Sequence, residues 1–333
     1  MTEHLPRFMR AAVVDAYGPP ENVRLAEIAR PAPGPQDVLV RVRAASVNFP
    51  DLLLISGQYQ VMQPVPFVPG SDLAGEVVAV GSAVTDVRPG DLVSGAVAIG
   101  AFAEYAAMPW PAARPVPDGV APAEAAAFGV VYETAYYSLT SVAKLAAGER
   151  LCVLGAAGGV GLAAVDLGVL RGADVVAVVT GADKARLCRE RGAAHTVDLS
   201  AEALRERLRE IGGVDVVLDM VGGKVSEQAL RAMRPGGRFV TVGYASGVIP
   251  KIPLNLVLLK DVAITGFQMR TFLDRFPDQA AAGRRELAGH LAAGRLRPHI
   301  GDRFALAQTA AALRTVADRR VLGKVVIDID GQP

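Results

Sequence analysis

The sequence is poor in the residues that staple small secreted proteins or anchor proteins in membranes. Its only two cysteines, Cys152 and Cys188, have the spacing of neither a disulfide framework nor a zinc site. We interpret both as small buried hydrophobic residues. No apolar run approaches the ~20 residues of a membrane-spanning helix. These scarcities predict a protein of a reducing compartment, the cytoplasm, with no membrane partner.

Net charge is almost absent. The chain carries 35 basic and 34 acidic residues, a formal charge of +1. This balance gives no electrostatic reason to expect nucleic acid or an anionic membrane surface as a partner. By contrast, 51% of the 333 residues are hydrophobic, which is enough to fill the cores of two domains.

Two patterns divide the chain. Short β-branched runs with glycine and proline between them, such as DVLVRVRAASVN (residues 37–48) and SDLAGEVVAVG (71–81), are typical of a barrel or sandwich. From about residue 148, strands alternate with helices of about ten residues. That alternation predicts a doubly wound parallel sheet, so the fold class is α/β with a separate β-rich domain.

The segment LCVLGAAGGVGLAAVDLG (residues 151–168) joins a predicted strand to a predicted helix through small residues. Small side chains there let a backbone approach a ligand, and the amides of a helix start suit a pyrophosphate. Close packing of helix on strand is the alternative explanation of such glycines. Because the segment also opens a series of βαβ units, we predict dinucleotide binding. The predicted contacts are Ala157, Gly158, Gly159, Val160 and Gly161.

The end of the second predicted strand bears on the choice of cofactor. An acid in this place would hold the ribose hydroxyls of NADH, but Val178, Val179 and Thr180 occupy it. Gly181 leaves room, and Lys184 offers a positive charge for a 2′-phosphate, although it also fits as a solvated lysine of a helix. We therefore predict NADPH as the cofactor, bound in part by Thr180, Gly181 and Lys184.

Several segments together resemble the zinc-free quinone oxidoreductase branch of the medium-chain dehydrogenase/reductase superfamily, which includes zeta-crystallin. The order and spacing of AASVNFPDLLLISGQYQ, PFVPGSDLAGEVVAVG, VRPGDLV, AAAFGVVYETAYYSL, GAAGGVG, LRPGGRFVTVG and GKVVI carry the resemblance over nearly the whole chain. It implies a GroES-like catalytic domain and a Rossmann domain. We place them at residues 1–130 and 131–268, with residues 269–333 returning to the catalytic domain.

The resemblance also implies that no metal is bound. Where zinc-dependent members carry Cys, His-Glu and Cys, this chain has Asn48, Ser71-Asp72 and Val130. These residues do not make a tight tetrahedral zinc shell. We therefore expect hydride transfer from NADPH to an acceptor that is already electron-poor, a quinone or an activated alkene.

The resemblance further implies several site residues. Asn48 is the expected hydrogen-bonding group at the former metal position and a cofactor contact, with a purely structural role after a strand as the alternative. Tyr59 is a candidate proton or hydrogen-bond donor, and Thr134 matches a contact to the nicotinamide ribose. Lys324 matches a basic position near the cofactor phosphate, with an exposed lysine at a strand start as the alternative.

Strand ends supply the remaining predicted cofactor contacts. Gly243 and Tyr244 follow the fifth predicted strand of the parallel sheet, where ligands of open α/β sheets bind. Phe267, Gln268 and Met269 follow the next strand and are expected to flank the nicotinamide. Where relatives place a tyrosine near the adenine, this chain has Asp198-Leu199.

The sequence thus predicts an NADPH-dependent quinone or activated-alkene reductase. One alternative is an enoyl-thioester or alkenal reductase using the same site, with Arg270 and Arg275 as possible contacts to a CoA phosphate. The other is a non-catalytic NADPH-binding structural protein. The segment VAITGFQ (residues 262–268) reads as an apolar edge strand without a protecting proline or lysine, which predicts a homodimer through the Rossmann sheet edge.

Overall fold

The computed structural model describes residues 5–329, which form two compact units. The first unit contains the chain up to Val130 and from Arg297 onward, and the second is Val131–Leu296. The GroES-like and Rossmann-type architectures predicted from the sequence are both confirmed. The return to the first unit was predicted at residue 269, and the structure places it at Arg297 instead.

The first segment of the chain supplies most of the first unit. Its strands are β1 (Phe8–Val14), β2 (Val23–Ala29), β3 (Asp37–Val47), β4 (Asp72–Val80), β5 (Leu92–Ala96), β6 (Tyr105–Pro109) and β7 (Arg114–Pro115). Its helices are α1 (Phe49–Ile55) and α2 (Pro122–Tyr137), the latter continuing into the second unit. Strand β3 is the centre, because its Val- and Ala-rich sequence is buried along nearly its whole length.

The second unit alternates strands and helices. The strands are β8 (Arg150–Leu154), β9 (Asp174–Val179), β10 (His195–Asp198), β11 (Val214–Asp219), β12 (Met233–Thr241) and β13 (Ala263–Gly266). The helices are α3 (Gly159–Leu170), α4 (Ala182–Glu190), α5 (Leu204–Glu210), α6 (Lys224–Arg231), α7 (Leu254–Lys260), α8 (Met269–Arg275) and α9 (Pro277–Ala292). All strand pairs are parallel, in the order β10-β9-β8-β11-β12-β13.

Helices α8 and α9 explain the corrected boundary. The Tyr137 hydroxyl at the end of α2 donates to the Ala280 carbonyl of α9 at 2.7 Å, and its ring stacks on Phe272 of α8 at 4.7 Å. Arg284 of α9 pairs with Glu133 of α2 at 3.0 Å. These contacts keep residues 269–296 with the second unit. Tyr137 is therefore a core residue.

The last segment completes the first unit with β14 (Ile300–Ala305), α10 (Thr309–Ala317) and β15 (Lys324–Asp328). Strand β15 lies between β14 and β3 in the seven-stranded sheet, which runs in the order β14-β15-β3-β4-β5-β7 with β6 as an additional partner of β3. It pairs antiparallel with β3 in a register that places Val325 opposite Val47. Lys324, which precedes Val325, therefore lies beside the end of β3, where Asn48 begins the next element.

Candidate active site

A buried polar cluster surrounds Asn48, between the end of β3 and the start of α1. The Asn48 Nδ2 donates to Asp72 Oδ2 at 2.9 Å, and Lys324 Nζ donates to Asn48 Oδ1 at 2.6 Å. Lys324 also donates to the Val47 carbonyl at 2.9 Å. Asn48 is 7%, Asp72 3% and Lys324 3% exposed, so the charges lie in a medium where each needs its partners.

The partners of Asn48 fix the orientation of its amide. A lysine ammonium only donates and a carboxylate only accepts, so Oδ1 must face Lys324 and Nδ2 must face Asp72. The Ser71 hydroxyl is 3.3 Å from Nδ2 and takes up the amide's second hydrogen. The amide's donor capacity is thus used within the cluster, and an acceptor position on Oδ1 remains for a ligand hydroxyl. The arrangement suits a sugar hydroxyl better than a developing oxyanion.

Asp51 lies in the first turn of α1 and is 3% exposed. Its Oδ2 accepts the Asn48 backbone N–H at 2.7 Å, so its carboxylate satisfies an amide at the helix start, as a capping residue does. Burial raises the pKa of Asp51 to about 7, with a further raising effect from the Asp72 charge, while the Asn48 N–H and Lys324 oppose the shift. Burial also lowers the pKa of Lys324, against the two carboxylates.

The loop between β8 and α3 runs from Gly155 to Gly158. A Cβ on Gly161 would lie 2.2 Å from the Gly155 carbonyl oxygen, so helix–loop packing alone requires glycine there. A Cβ on Gly158 would have its nearest neighbour at 3.6 Å, an ordinary contact. Packing therefore does not explain Gly158, whereas close approach of a diphosphate to the start of α3 would. This part of the loop fits a dinucleotide.

The parallel sheet brings most of the predicted cofactor residues to one edge. Thr180 and Gly181 follow β9, Gly243 and Tyr244 follow β12, and Phe267 follows β13, all at carboxyl ends of parallel strands. The order of the strands reverses between β8 and β11, which is where an open α/β sheet binds its ligand. Ala157 and Val160 belong to the loop and helix start at the same edge.

Two residues after β13 already have structural contacts. The Phe267 ring is buried and packs on Phe272 with 5.7 Å between ring centroids. Gln268 Oε1 accepts the Thr271 backbone N–H at 2.6 Å and so caps α8, of which Met269 is the first residue. Flanking of the nicotinamide by these residues stays a prediction.

Other predicted residues are placed as follows. Thr134 is buried in α2, Tyr59 is half-buried against the core of the first unit, and Lys184 is half-buried in the first turn of α4. Lys324 is not the exposed lysine of the alternative reading, because its ammonium is buried and bound to Asn48 and Val47. A contact between Lys324 and the cofactor phosphate stays a prediction.

Sequence comparison places this geometry in a family. Residues 34–118 match the alcohol dehydrogenase GroES-like domain family, and residues 159–282 match the zinc-binding dehydrogenase family. The chain is 36% identical to the quinone oxidoreductase of Pseudomonas aeruginosa, over 94% of this chain and 97% of that protein. It is 34% identical to quinone oxidoreductase-like protein 2 of Mus musculus, over 97% of this chain and 93% of the relative.

The chain belongs to the quinone oxidoreductase family of medium-chain dehydrogenases/reductases. It is an oxidoreductase of that family. Escherichia coli quinone oxidoreductase, solved as a complex with NADPH, superposes with a TM-score of 0.89 at 26% identity, over 96% of this chain and 99% of that one. A mycobacterial structure complexed with NADPH gives a TM-score of 0.90 at 32% identity, over 96% and 100% of the two chains.

Family membership gives meaning to the residues around Asn48. Asn48, Ser71 and Asp72, which the sequence resemblance aligned with the zinc ligands of zinc-dependent relatives, lie together in the structure through the hydrogen bonds of the Asn48 amide. Across residues 5–329, no three His, Cys, Asp or Glu side chains converge as a metal site requires. Lys324 is the cation of this buried polar cluster, through its hydrogen bond to Asn48 Oδ1.

Sequence reasoning missed three features of this family member. Asp198 binds the Gly181 amide across the ends of β9 and β10, and Asp219 at the end of β11 binds the Gly222 amide and the Ser226 hydroxyl. The raised pKa of Asp51 is the third. The sequence did carry a signal for the first two features, because Asp198 and Asp219 are each the last residue of a strand. No local sequence pattern indicated the third, because the pKa of Asp51 is raised by its burial in the folded chain and then by the charge of Asp72.

Proposed function

We propose that this chain binds NADPH and reduces a small, electron-poor acceptor, a quinone or an activated alkene, without a metal. The observation that carries the proposal is the pairing of two features. One is the loop before α3, in which Gly158 has room for a side chain, so packing within the protein does not explain the glycine. The other is the buried polar cluster of Asn48, Asp72 and Lys324, in which Asn48 and Asp72 stand at positions that the sequence resemblance aligns with the ligands of metal-dependent relatives. NADPH, when bound, supplies the hydride.

The protein's own groups have separate tasks in this proposal. The amides at the start of α3, with the helix dipole behind them, bind the diphosphate. Asn48 Oδ1, held by Lys324, accepts a hydrogen bond from a sugar hydroxyl and fixes the sugar's orientation. Thr134, Gly243 and Tyr244 are proposed as further cofactor contacts.

Tyr59 is the proposed hydrogen-bond donor toward the acceptor. Its side chain packs against the core of the first unit and is only half-buried. Because the amide hydrogens of Asn48 are used by Asp72 and Ser71, Tyr59 is a better donor than Asn48 for an acceptor oxygen that gains negative charge.

The enoyl-thioester reductase remains the second candidate within the same chemistry. Arg270 and Arg275, proposed as contacts to a CoA phosphate, lie on α8. The Arg275 guanidinium lies over the Phe276 ring at 5.2 Å, which orders it near the helix end. The non-catalytic alternative has less support, because a purely structural role requires neither the open space at Gly158 nor the buried polar cluster around Asn48.

The test is an NADPH-oxidation screen against quinones, enals and crotonyl-CoA, together with NADPH binding measured by fluorescence titration. The proposal expects micromolar NADPH binding and turnover with at least one of the first two classes. A strong preference for crotonyl-CoA would favour the enoyl-thioester reductase, and binding without turnover of any acceptor would favour the non-catalytic alternative. Elemental analysis should find no stoichiometric zinc, and one zinc per chain would contradict the metal-free mechanism.

We also propose a homodimer through the second unit. Strand β13 is the last strand of the parallel sheet, and all four of its residues are exposed. The preceding helix α7 exposes Leu254, Leu258 and Leu259 by 80%, 81% and 75%. An open strand edge beside exposed leucines is a surface that soluble proteins cover, and a second copy about a twofold axis covers both at once.

Light scattering on the unmodified protein tests the assembly. A mass near twice 34.7 kDa at micromolar concentration is expected, and a mass near 34.7 kDa would contradict the dimer. Leu258→Lys should shift the dimer toward monomer, because it places a charge on the exposed face of α7.

The two cysteines are free and buried, which agrees with the proposed cytoplasmic location. Burial raises the pKa of Cys188 to about 12 and that of Cys152 further, so neither thiol is expected to react readily. In residues 5–329, none of the helices combines the length and the apolarity that a membrane crossing requires.

A further inference from the structure

The carboxyl ends of β9 and β10 are joined through a side chain. Asp198 is the last residue of β10 and lies opposite Val179, the last residue of β9. Its Oδ1 accepts the Gly181 backbone N–H at 2.8 Å, and also the Ser200 N–H at 3.0 Å and the Ser200 hydroxyl at 2.7 Å. All three hydrogen bonds end on Oδ1, so none of them uses the second carboxylate oxygen, Oδ2.

Gly181 occupies a decisive position for a dinucleotide. It follows the second strand of the parallel sheet, where the adenosine ribose of such a cofactor is held and where NADH and NADPH are distinguished. Its φ of +103° favours glycine, and a Cβ there would meet no atom within 4 Å, so the space beside it is open. A backbone N–H at such a place would suit a phosphate oxygen. Here Asp198 already takes that N–H.

The carboxylate of Asp198 is ionised near neutral pH. The Gly181 N–H, and after it the Ser200 groups, hold the pKa of Asp198 below its usual range. The charges around it are mixed. Lys184 lies in the first turn of α4, and Asp183 beside it pairs with Arg186 at 3.3 Å. Asp198 therefore adds a fixed negative charge next to the place where Lys184 was predicted to favour a 2′-phosphate.

We propose that Asp198 is a specificity-determining residue that limits the preference of this enzyme for NADPH over NADH. The carboxylate repels a 2′-phosphate, it occupies the Gly181 amide, and its Oδ2 offers an acceptor to a ribose hydroxyl of NADH. Lys184 and Asp198 thus act in opposite directions at one end of the cofactor. The inference rests on the proposed binding of NADPH by the second unit.

The test is Asp198→Asn, which keeps an oxygen for the Gly181 N–H and removes the charge. Dissociation constants for NADPH, NADH, 2′,5′-ADP and 5′-AMP are measured by calorimetry at low salt. We expect NADPH and 2′,5′-ADP to bind about five- to tenfold more tightly, because a nearby like charge is gone. Binding of NADH and 5′-AMP should change by less than about twofold or weaken, since they carry no 2′-phosphate.

Glu190→Gln is the matched control. Glu190 is the last residue of α4 and pairs with Arg186 at 3.4 Å, so the substitution removes one charge from the same unit at the far end of the helix. It should leave all four dissociation constants unchanged. Equal effects of the two variants would overturn the inference, because the change would then reflect net charge alone.

Two results separate this inference from the function on which it rests. An unchanged ratio of NADPH to NADH affinity in Asp198→Asn, with the melting temperature retained, overturns the role of Asp198 and leaves the proposed function standing. Failure of the unmodified chain to bind NADPH or 2′,5′-ADP at all overturns both.

Discussion

The two candidate regions of this protein are built in opposite ways. Around Asn48, in the first unit, the candidate site consists of buried side chains: Lys324 and Asp72 bind the side-chain amide of Asn48, and Asp51 binds its backbone N–H. At the Gly155–Gly161 loop, in the second unit, the glycines carry no side chains, and this leaves the backbone amides accessible to a ligand. A site made of buried charges contributes to the stability of the fold, because each charge needs its partners. A site made of backbone amides depends instead on the local shape of the loop. Substitutions should therefore impair folding in the first region and ligand binding in the second.

The largest expected effect comes from Lys324→Met. It removes the ammonium between Asn48 and the buried carboxylates, so the free energy of unfolding should fall by about 3–5 kcal/mol. Urea unfolding at pH 7 measures it. Lys251→Met removes an exposed lysine and should change stability by less than about 0.5 kcal/mol. A loss below about 1 kcal/mol for Lys324→Met would mean that the first region does not depend on its charges.

The pH dependence of stability is a second test of the Asn48 region. Because the pKa of Asp51 is raised from 3.8 to about 7, the folded chain binds this proton more tightly than the unfolded chain does. Stability from this group is therefore fully present below about pH 4 and is lost as the pH rises through 7, by up to about 4 kcal/mol. Asp51→Asn should flatten this decline between pH 5 and 8 in urea unfolding series. Parallel curves for the two proteins would contradict the raised pKa.

The second region is broken most directly by Gly161→Ala. The new Cβ would lie 2.2 Å from the Gly155 carbonyl oxygen, so loop and helix start must separate. NADPH affinity should fall by about a hundredfold, roughly 3 kcal/mol, in a fluorescence titration. Gly289→Ala in α9 meets no atom within 4 Å and should leave NADPH affinity unchanged. Retained NADPH affinity in Gly161→Ala would mean that the cofactor does not bind at this loop.

The smallest expected effect is that of Lys184→Ala. Losing one charge–phosphate contact at a half-buried position should weaken NADPH by about tenfold, roughly 1–2 kcal/mol, and leave NADH nearly unchanged. Calorimetric titration of both cofactors measures it. Equal weakening of both cofactors would show that Lys184 supports the fold of α4 instead of the phosphate.

The predictability of the two regions differs for a physical reason. Strand–loop–helix order, the glycine cluster and the parallel sheet follow from local patterns, so the second unit was predictable in outline. The strand expected over residues 262–268 is shorter, Ala263–Gly266, because Phe267 turns inward to pack on Phe272 and Gln268 caps the next helix. The strand therefore ends where tertiary packing begins, and the local sequence does not indicate that position.

The Asn48 region was predictable only in part. The sequence resemblance singled out Asn48 as a hydrogen-bonding group and cofactor contact and Lys324 as a contact to the cofactor phosphate, but it did not indicate that the two side chains bind each other. Their mutual hydrogen bond depends on the pairing of β15 with β3, a contact between opposite ends of the chain. Which atom of an amide faces outward depends on all of its partners, so it emerges only once the fold brings them together. The hydrogen bond from the Gly181 N–H to Asp198 was missed because it too forms only when two strands, β9 and β10, pair in the fold.

The position of β15 has a consequence for the order in which a growing chain can fold. The second unit is one continuous stretch and can be completed when its last helix leaves the ribosome. The first unit begins earlier but finishes later, because β3 pairs with β15, which is synthesised after the whole second unit. Until then Asp51 and Asp72 lack the ammonium that makes their burial tolerable. Protection of the nascent chain against proteases should therefore appear first in the second unit, and the sheet around Asn48 should close only once β15 has left the ribosome.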